Sequence, residues 1–357
     1  MPEPVVIALD AMGGDRGPEA VIAGAEQSLS RHPDMRFIFV GDKPRVAPLL
    51  APHLQLASRS EIDHTEFAVA MDDRPSEALK RGRWKSSMWR AIEAVKSGRA
   101  AFVVSGGNTG ALMAMSKFCL KTMPGIERPA IAGIWPTVKA ECLVLDVGAT
   151  VEANADQLIT FAFLGAAMAR ALLKRDRPTV ALLNIGVEEV KGLEEIKHAH
   201  TRLRAMKLPF VYKGFVEGDG IGHDAADVIV TDGFTGNIAI KTAEGTAKQV
   251  GQYLRAAMEQ SLLSQLGGFI AQDAFRVLKA KMDPRRSNGG VFLGLNGLVI
   301  KSHGGADATG YASAIDLGYD MARAGLVERT RQDLAMVTAA GALTGPHGQK
   351  PLEGGGG

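Results

Sequence analysis

Two glycine-rich turns, each between an apolar strand and a helix, are the segments of this chain best suited to holding an anion. Ser105-Gly106-Gly107-Asn108-Thr109-Gly110 follows the apolar run Ala101–Val104 and leads into a helical pattern from Ala111 to Lys121. Successive backbone N–H groups at a helix N-terminus cradle phosphate, and Asn108 and Thr109 add side-chain donors. A plain capping turn has the same outline, although two adjacent glycines exceed what a cap needs. Asp10-Ala11-Met12-Gly13-Gly14-Asp15 has the same setting, after the apolar strand Val5–Leu9 and before a helix that opens at Pro18. Gly13 and Gly14 permit a sharp turn and close approach to a ligand, or simply make the connection.

Basic and amide groups accompany these turns. Asn237 and Lys241 lie four residues apart and share a helix face at the mouth of the Asp232-Gly233 loop. Lys301 and His303 end an extended segment before Gly304-Gly305, and their i,i+2 spacing points them the same way. A lysine or a protonated histidine neutralises charge developing on a carbonyl oxygen, and Asn184 has an amide to donate. Asn108, Lys241 and His303 are expected to converge on one pocket, with Asn184 and Asn237 as further donors. Each taken singly also fits a satisfied structural polar group.

Asp10, Asp15, Asp146 and Asp232 end strands or enter loops, which invites a divalent-metal reading. No HExxH, cysteine cluster or EF-hand spacing accompanies them, and His198 and His200 point to different faces of one helix. No metal and no cofactor are expected. Gly218-Asp219-Gly220-Ile221-Gly222 mimics a dinucleotide fingerprint, but its spacing is G-x-G-x-G and it reads as a structural loop near the site.

Elements that would position these residues alternate along the chain. Apolar strands at Val5–Leu9, 101–105, 141–147, 179–186 and 227–233 are separated by helical stretches such as 154–174 and 193–206. Such alternation argues for βαβ units and a mostly parallel sheet. The expected architecture is a three-layer α/β/α domain over residues 1–340, with residues 236–282 as a helical hairpin extension and 341–357 as a flexible tail. Within 236–282 a long helix runs to Gln260, Ser261–Ile270 forms an apolar turn, and a second helix follows.

Taken together, Asp10–Asp15, Ser86-Ser87-Met88, Ser105–Ala111, Asn184-Ile185-Gly186, Asp232–Asn237 and Gly297–Gly304 resemble the phosphate acyltransferase family of bacterial phospholipid synthesis. They stand in family order and span Val5 to about Val327. The resemblance implies a fold like that of isocitrate and isopropylmalate dehydrogenases, and a homodimer. It implies transfer of a long-chain acyl group from acyl carrier protein to inorganic phosphate. A downstream membrane acyltransferase then places the acyl group on glycerol 3-phosphate. Phosphate is itself the nucleophile, so the protein needs only to hold it, orient it and stabilise an oxyanion. Ser105–Gly110 would bind phosphate, while Asp10, Gly13, Gly14, Asp15, Ser86, Ser87 and Asp232 would line the substrate loops. A coenzyme A-dependent phosphate acetyl- or butyryltransferase and a non-catalytic membrane scaffold for lipid synthesis are the alternatives.

Composition bounds the partners. The chain has 357 residues, 46% of them hydrophobic, a net charge of +2 and two cysteines, Cys119 and Cys142. That charge is too small to suggest nucleic-acid binding. No uninterrupted apolar run approaches a bilayer span, and the first strand starts where a signal peptide would lie, so a cytoplasmic location is expected. Charge is concentrated in Lys80-Arg81-Gly82-Arg83-Trp84-Lys85. Arg81, Arg83 and Lys85 form a solvated face or a dock for the acidic carrier, with Arg285 and Arg286 as a second candidate. Leu262, Leu263, Leu266, Phe269 and Ile270 beside lysines and arginines suit attachment to the inner face of the membrane, unless a partner subunit or the acyl chain covers them.

Overall fold

The computed structural model describes residues 3–281, 283 and 288–339. Strands β1 (Val5–Asp10), β2 (Met35–Gly41), β3 (Ser60–His64) and β4 (Phe102–Ser105) come from the first third of the chain. Strands β5 (Ala130–Pro136), β6 (Glu141–Leu145), β7 (Thr179–Leu183), β8 (Val211–Val216) and β9 (Val228–Val230) follow. The last two, β10 (Gly290–Leu293) and β11 (Leu298–Lys301), return to the middle of the sheet. The strand order is β3-β2-β1-β4-β11-β10-β5-β6-β9-β7-β8.

Two parallel blocks, β3-β2-β1-β4-β11 and β6-β9-β7-β8, are joined through antiparallel pairings at β10 and β5. The blocks therefore run in opposite directions. One row of paired residues crosses most of the sheet: Leu9, Val104, Ile300, Val291, Ala132, Leu145, Val230 and Leu182. Asp10, Ser105 and Lys301 come one residue after that row in the first block, and Asp146 and Thr231 one residue after it in the second. The carboxyl ends of the two blocks therefore lie at opposite edges of the sheet, and each end is where a parallel block of this kind places ligands.

Side-chain alternation feeds three cores, of which the third gathers Cys142, Val144, Ala181 and Ile229 in the second block and the other two lie on opposite faces. Ile7, Leu9, Phe37 and Phe39 join one with the helices at 17–31 and 155–172. Ala8, Ile38 and Val40 join the other with Met88, Ile92, Leu112 and Met115 of two further helices. This period-2 division is why the strands read as continuous apolar runs. The helix Ala155–Leu172 starts at a capping box, Asn154 with Gln157. It is long and apolar enough to cross a membrane, yet 78% of it is buried within the fold.

The segment after β9 departs from expectation. Gly233–Glu259 is one 27-residue helix. Residues read as an apolar turn instead form the helix Leu262–Ile270, because Ser261 caps it by accepting from Ser264 N at 3.1 Å. A third helix spans Gln272–Lys281. Gly218–His223 is a 3₁₀ helix, not an open loop. Its Gly222 carbonyl accepts from Val138 N in the β5–β6 turn and its Ile221 carbonyl from Cys142 Sγ, so it is built into packing. Arg285, Arg286 and the glycine-rich tail lie outside the described residues.

Candidate active site

Neighbouring strands β1, β4 and β11 deliver three loops to one place. The loops are tied together by Asp15 N donating to Gly304 O at 2.8 Å and Ser302 N donating to Ser105 O at 2.9 Å. Asp10 is buried, and its Oδ2 accepts from Ser105 Oγ at 2.7 Å while Oδ1 has no hydrogen-bond partner. Burial pushes the Asp10 carboxyl above its ordinary range, against the pull of the Ser87 and Ser105 hydroxyls and the Met12 and Gly13 amides. The glycines here are steric requirements. A Cβ on Gly13 would stand 2.5 Å from Asp10 Oδ2 and 2.9 Å from Gly107 N. Gly13→Ala is therefore expected to lower turnover about 100-fold by forcing two loops apart. Steady-state kinetics beside a melting curve check this, since loss through unfolding would move both.

Lys301 is the cation at the centre. Its Nζ lies 3.3 Å from Gly106 O and also donates to Ser302 O, with no ion pair among the described residues. Burial, then the charge of Lys241, pushes its ammonium down to about 8, against the attraction of Asp10 and Asp15. An interior ammonium beside a helix N-terminus is a place for an anion. The first-turn amides of Thr109 and Gly110 have no intrahelical acceptor. Gly107 N is used by Ser105 Oγ at 3.1 Å, which narrows the cradle.

Lys241 and His303, expected to converge with Asn108 on one pocket, are linked to each other through Glu244, which was not among the expected site residues. Glu244 Oε1 lies 3.3 Å from His303 Nε2, and Oε2 lies 3.1 Å from Lys241 Nζ. His303 first, then Lys241, holds the Glu244 carboxyl down at about 2, with burial opposing. The long helix Gly233–Glu259 carries Lys241 and Glu244 from the end of β9 to the β11 loop.

Other sequence-predicted residues have structural partners. Asn108 Oδ1 caps Ala111 N at 2.9 Å, and its Nδ2 donates to Met71 O and Asp73 O at 2.7 and 3.0 Å. Its amide thus clamps the segment 71–73 over the loop and does not join Lys241 and His303. Asn184 pins its own loop, donating to Gly186 O and Lys191 O, each at 3.1 Å. Asp232 caps the long helix through Thr235 N at 2.8 Å, and Ser86 caps the helix at 87–96 through Trp89 N at 3.1 Å. Ser87 Oγ is buried beside Asp10 without a geometric partner. Asn237 packs near Gly148. Asn288, which the sequence did not single out, holds the β11 loop by donating to Ser302 Oγ at 2.9 Å and accepting from His303 N at 3.0 Å. Its only signal was Asn-Gly-Gly before a strand.

Asp146 organises the second block. Its carboxylate accepts from the backbone of Ile131, Gly148, Ala149 and Thr150 and from Thr150 Oγ1. Gly233 and Gly236 pack so closely on this knot that Cβ atoms there would lie 2.2 Å from Thr150 O and 2.0 Å from Asp146 O. The start of the long helix is thereby fixed. Among the described residues no group of three or more His, Cys, Asp and Glu side chains could hold a metal ion.

Comparison with known proteins gives the fold and the family. Phosphotransacetylases from Staphylococcus aureus (EutD) and Streptococcus pyogenes share the fold, with TM-scores of 0.57 and 0.56 at 18% and 17% identity. The first alignment covers 89% of this chain and 94% of that one, the second 93% and 94%. The family model described as "Fatty acid synthesis protein" matches residues 5–329. The phosphate acyltransferase of Xanthobacter autotrophicus is 61% identical over 334 residues, 94% of each chain. That of Sinorhizobium medicae is 59% identical over 332 residues, 93% of this chain and 96% of its own. The chain belongs to the phosphate acyltransferase family.

Proposed function

We propose that this acyltransferase moves a long-chain acyl group from the thioester of acyl carrier protein to inorganic phosphate, in phospholipid synthesis. The observation that carries the reading is Lys301, a half-buried ammonium that makes no ion pair among the described residues, between the Asp10 and Gly106 loops. Phosphate binds against Lys301 and the first-turn amides of the helix at 109–120. A phosphate oxygen attacks the thioester carbon, the C–S bond breaks, and the thiolate leaves to take a proton as free carrier thiol. Lys241 and His303 at the mouth offset the negative charge on the carbonyl oxygen, and Glu244 orients both. Asp10 orients Ser105 and, through it, the loop amide of Gly107. The acyl phosphate passes to a downstream membrane acyltransferase that acts on glycerol 3-phosphate.

Phosphate-dependent thiol release from palmitoyl-acyl carrier protein, run beside palmitoyl-coenzyme A and acetyl-coenzyme A, tests the donor. Release from the carrier thioester is expected to dominate. Release only from a coenzyme A thioester overturns it in favour of the acetyltransferase class, and no release at all leaves a scaffold.

Two surfaces complete the proposal. Lys85 and Arg81 offer charge to the acidic carrier, although Arg81 also pairs with Asp73 at 3.5 Å, and Arg90 is taken up by Asp63. Arg81→Glu with Lys85→Glu is expected to raise the carrier KM about tenfold at low salt and flatten its salt dependence. An unchanged KM removes the dock. The helices 233–259, 262–270 and 272–281 form a projecting hairpin at a homodimer interface, with its tip on the inner membrane face. Leu262, Leu263, Leu266, Phe269 and Ile270 are 56–85% exposed, which forgoes roughly 1.5–3 kcal/mol for each side chain left in water. Leu266→Glu with Phe269→Glu is expected to abolish sedimentation with anionic vesicles and leave the dimer intact. Wild-type protein that fails to sediment contradicts the attachment.

A further inference from the structure

The basic run 80–85 builds a groove as well as a charged face. Ser76, Leu79, Arg83, Trp84 and Phe118 line it with three more cations, Lys80, Arg81 and Lys85, and its volume is about 660 Å³. That size lies within the range of small-molecule sites, roughly 300–1,000 Å³. Among the described residues no carboxylate lines it, and of its cations Arg81 pairs with Asp73 at 3.5 Å from outside the lining. The Arg83 guanidinium is sandwiched between aromatic rings, 3.9 Å from the Trp84 centroid and 4.1 Å from that of Phe118. Its Nε is buried and has no hydrogen-bond partner among the described residues. Trp84 adopts φ 66°, a left-handed backbone that is uncommon for a bulky residue, and keeps its indole 63% exposed. Strain, an unpaired donor and an exposed ring coincide at one point.

The groove lies against the phosphate-loop helix, to which its Phe118 belongs. It follows the helix Pro75–Gly82, which is eight residues and so about 12 Å long. Pro75 at the start of that helix packs on Gly110 so closely that a Cβ there would stand 2.6 Å from the ring. Gly110 belongs to the first turn of the phosphate-loop helix. One end of the groove is therefore cationic and aromatic, and the other reaches Ser76, next to the Pro75 that packs on the first turn of the phosphate-loop helix.

We propose that this groove binds the phosphopantetheine arm of the acyl donor, with its phosphate on Arg83 and its thioester end directed to the Ser105–Gly110 loop. The assignment rests on the carrier-thioester reading above. An arm with one anionic end and an uncharged body matches a groove that is cationic at the far end and lined by Leu79, Trp84 and Phe118. Arg83 is pre-organised by stacking, so it loses little freedom when it takes a phosphate.

Binding of 4′-phosphopantetheine, pantetheine and palmitate to the wild-type protein tests this, read by tryptophan fluorescence and by calorimetry. The phosphorylated arm is expected to bind at least about tenfold more tightly than pantetheine, a 1.4 kcal/mol difference. Arg83→Met is expected to erase that preference and to raise the KM for the carrier thioester without changing the KM for inorganic phosphate. Trp84→Phe is expected to remove the fluorescence change while calorimetry still detects binding. Equal affinity for the two arms, or a preference that survives Arg83→Met, overturns the assignment. Palmitate that displaces the arm and binds more tightly also overturns it, in favour of an acyl anion. If Arg83→Met fails to fold, the wild-type preference for the phosphorylated arm decides alone. Wild-type protein that binds the arm but cannot use the carrier thioester defeats the donor reading and leaves the groove standing. Carrier turnover without arm binding does the reverse.

Discussion

Lys301→Met is expected to lower phosphate-dependent acyl transfer about 10³-fold with no loss of melting temperature at pH 7. The physical basis is a half-buried ammonium that makes no ion pair among the described residues and feels Asp10 and Asp15 without touching them. Burial, then the charge of Lys241, makes the charged form unfavourable and depresses the ammonium from 10.5 to about 8, against Asp10 and Asp15. A methionine of similar length fills the space without that penalty, which offsets the two hydrogen bonds that Lys301 gives to the carbonyls of Gly106 and Ser302. The pH dependence follows from the same shift. Lys301 is charged below about 8 and neutral above it, so phosphate affinity is full below that pH and falls as pH rises through it. Between about 8 and 10.5 the unfolded chain binds the proton that the folded chain has released. The unliganded protein therefore gains stability across that interval, and Lys301→Met lacks the gain. Lys301→Arg keeps the charge and is expected to move the alkaline limb beyond the range of the assay.

Asp146→Ala is expected to destabilise the protein by more than about 3 kcal/mol, seen as a lower urea midpoint. Four residues donate backbone N–H groups to this one carboxylate, and all would lose their acceptor in the interior. Activity should fall with stability, because the knot fixes the helix that carries Lys241 and Glu244. Asp146→Asn retains one acceptor oxygen and is expected to lose less. Equal midpoints for wild type and Asp146→Ala would contradict the structural role.

Much of the strand pattern was legible because both faces of the sheet are buried, so β1, β4 and β7 appear as unbroken apolar runs ended by polar loops. Lys241 and His303 were legible as neighbours only by analogy of position, since nothing local says that Glu244 bridges them. Asn108 illustrates the opposite outcome. A loop asparagine before a helix suits both a cap and a donor, and only the position of residues 71–73 shows that its amide is clamped. The reversal of direction between the two blocks was invisible, because it depends on β10 and β11 returning from residue 290 to lie between β4 and β5. That insertion puts Lys301 beside Ser105, 196 positions away in sequence. The partners of Asn184 and Asn288 were hidden for the same reason: a buried amide is defined by what folds around it.

The most direct measurement is a calorimetric titration of inorganic phosphate into the wild-type protein and into Lys301→Met, at pH 7 and at pH 9. The account predicts binding by the wild type at pH 7, clear weakening at pH 9, and no detectable binding by Lys301→Met at either pH. Equal phosphate affinity in the two proteins at pH 7 would contradict it.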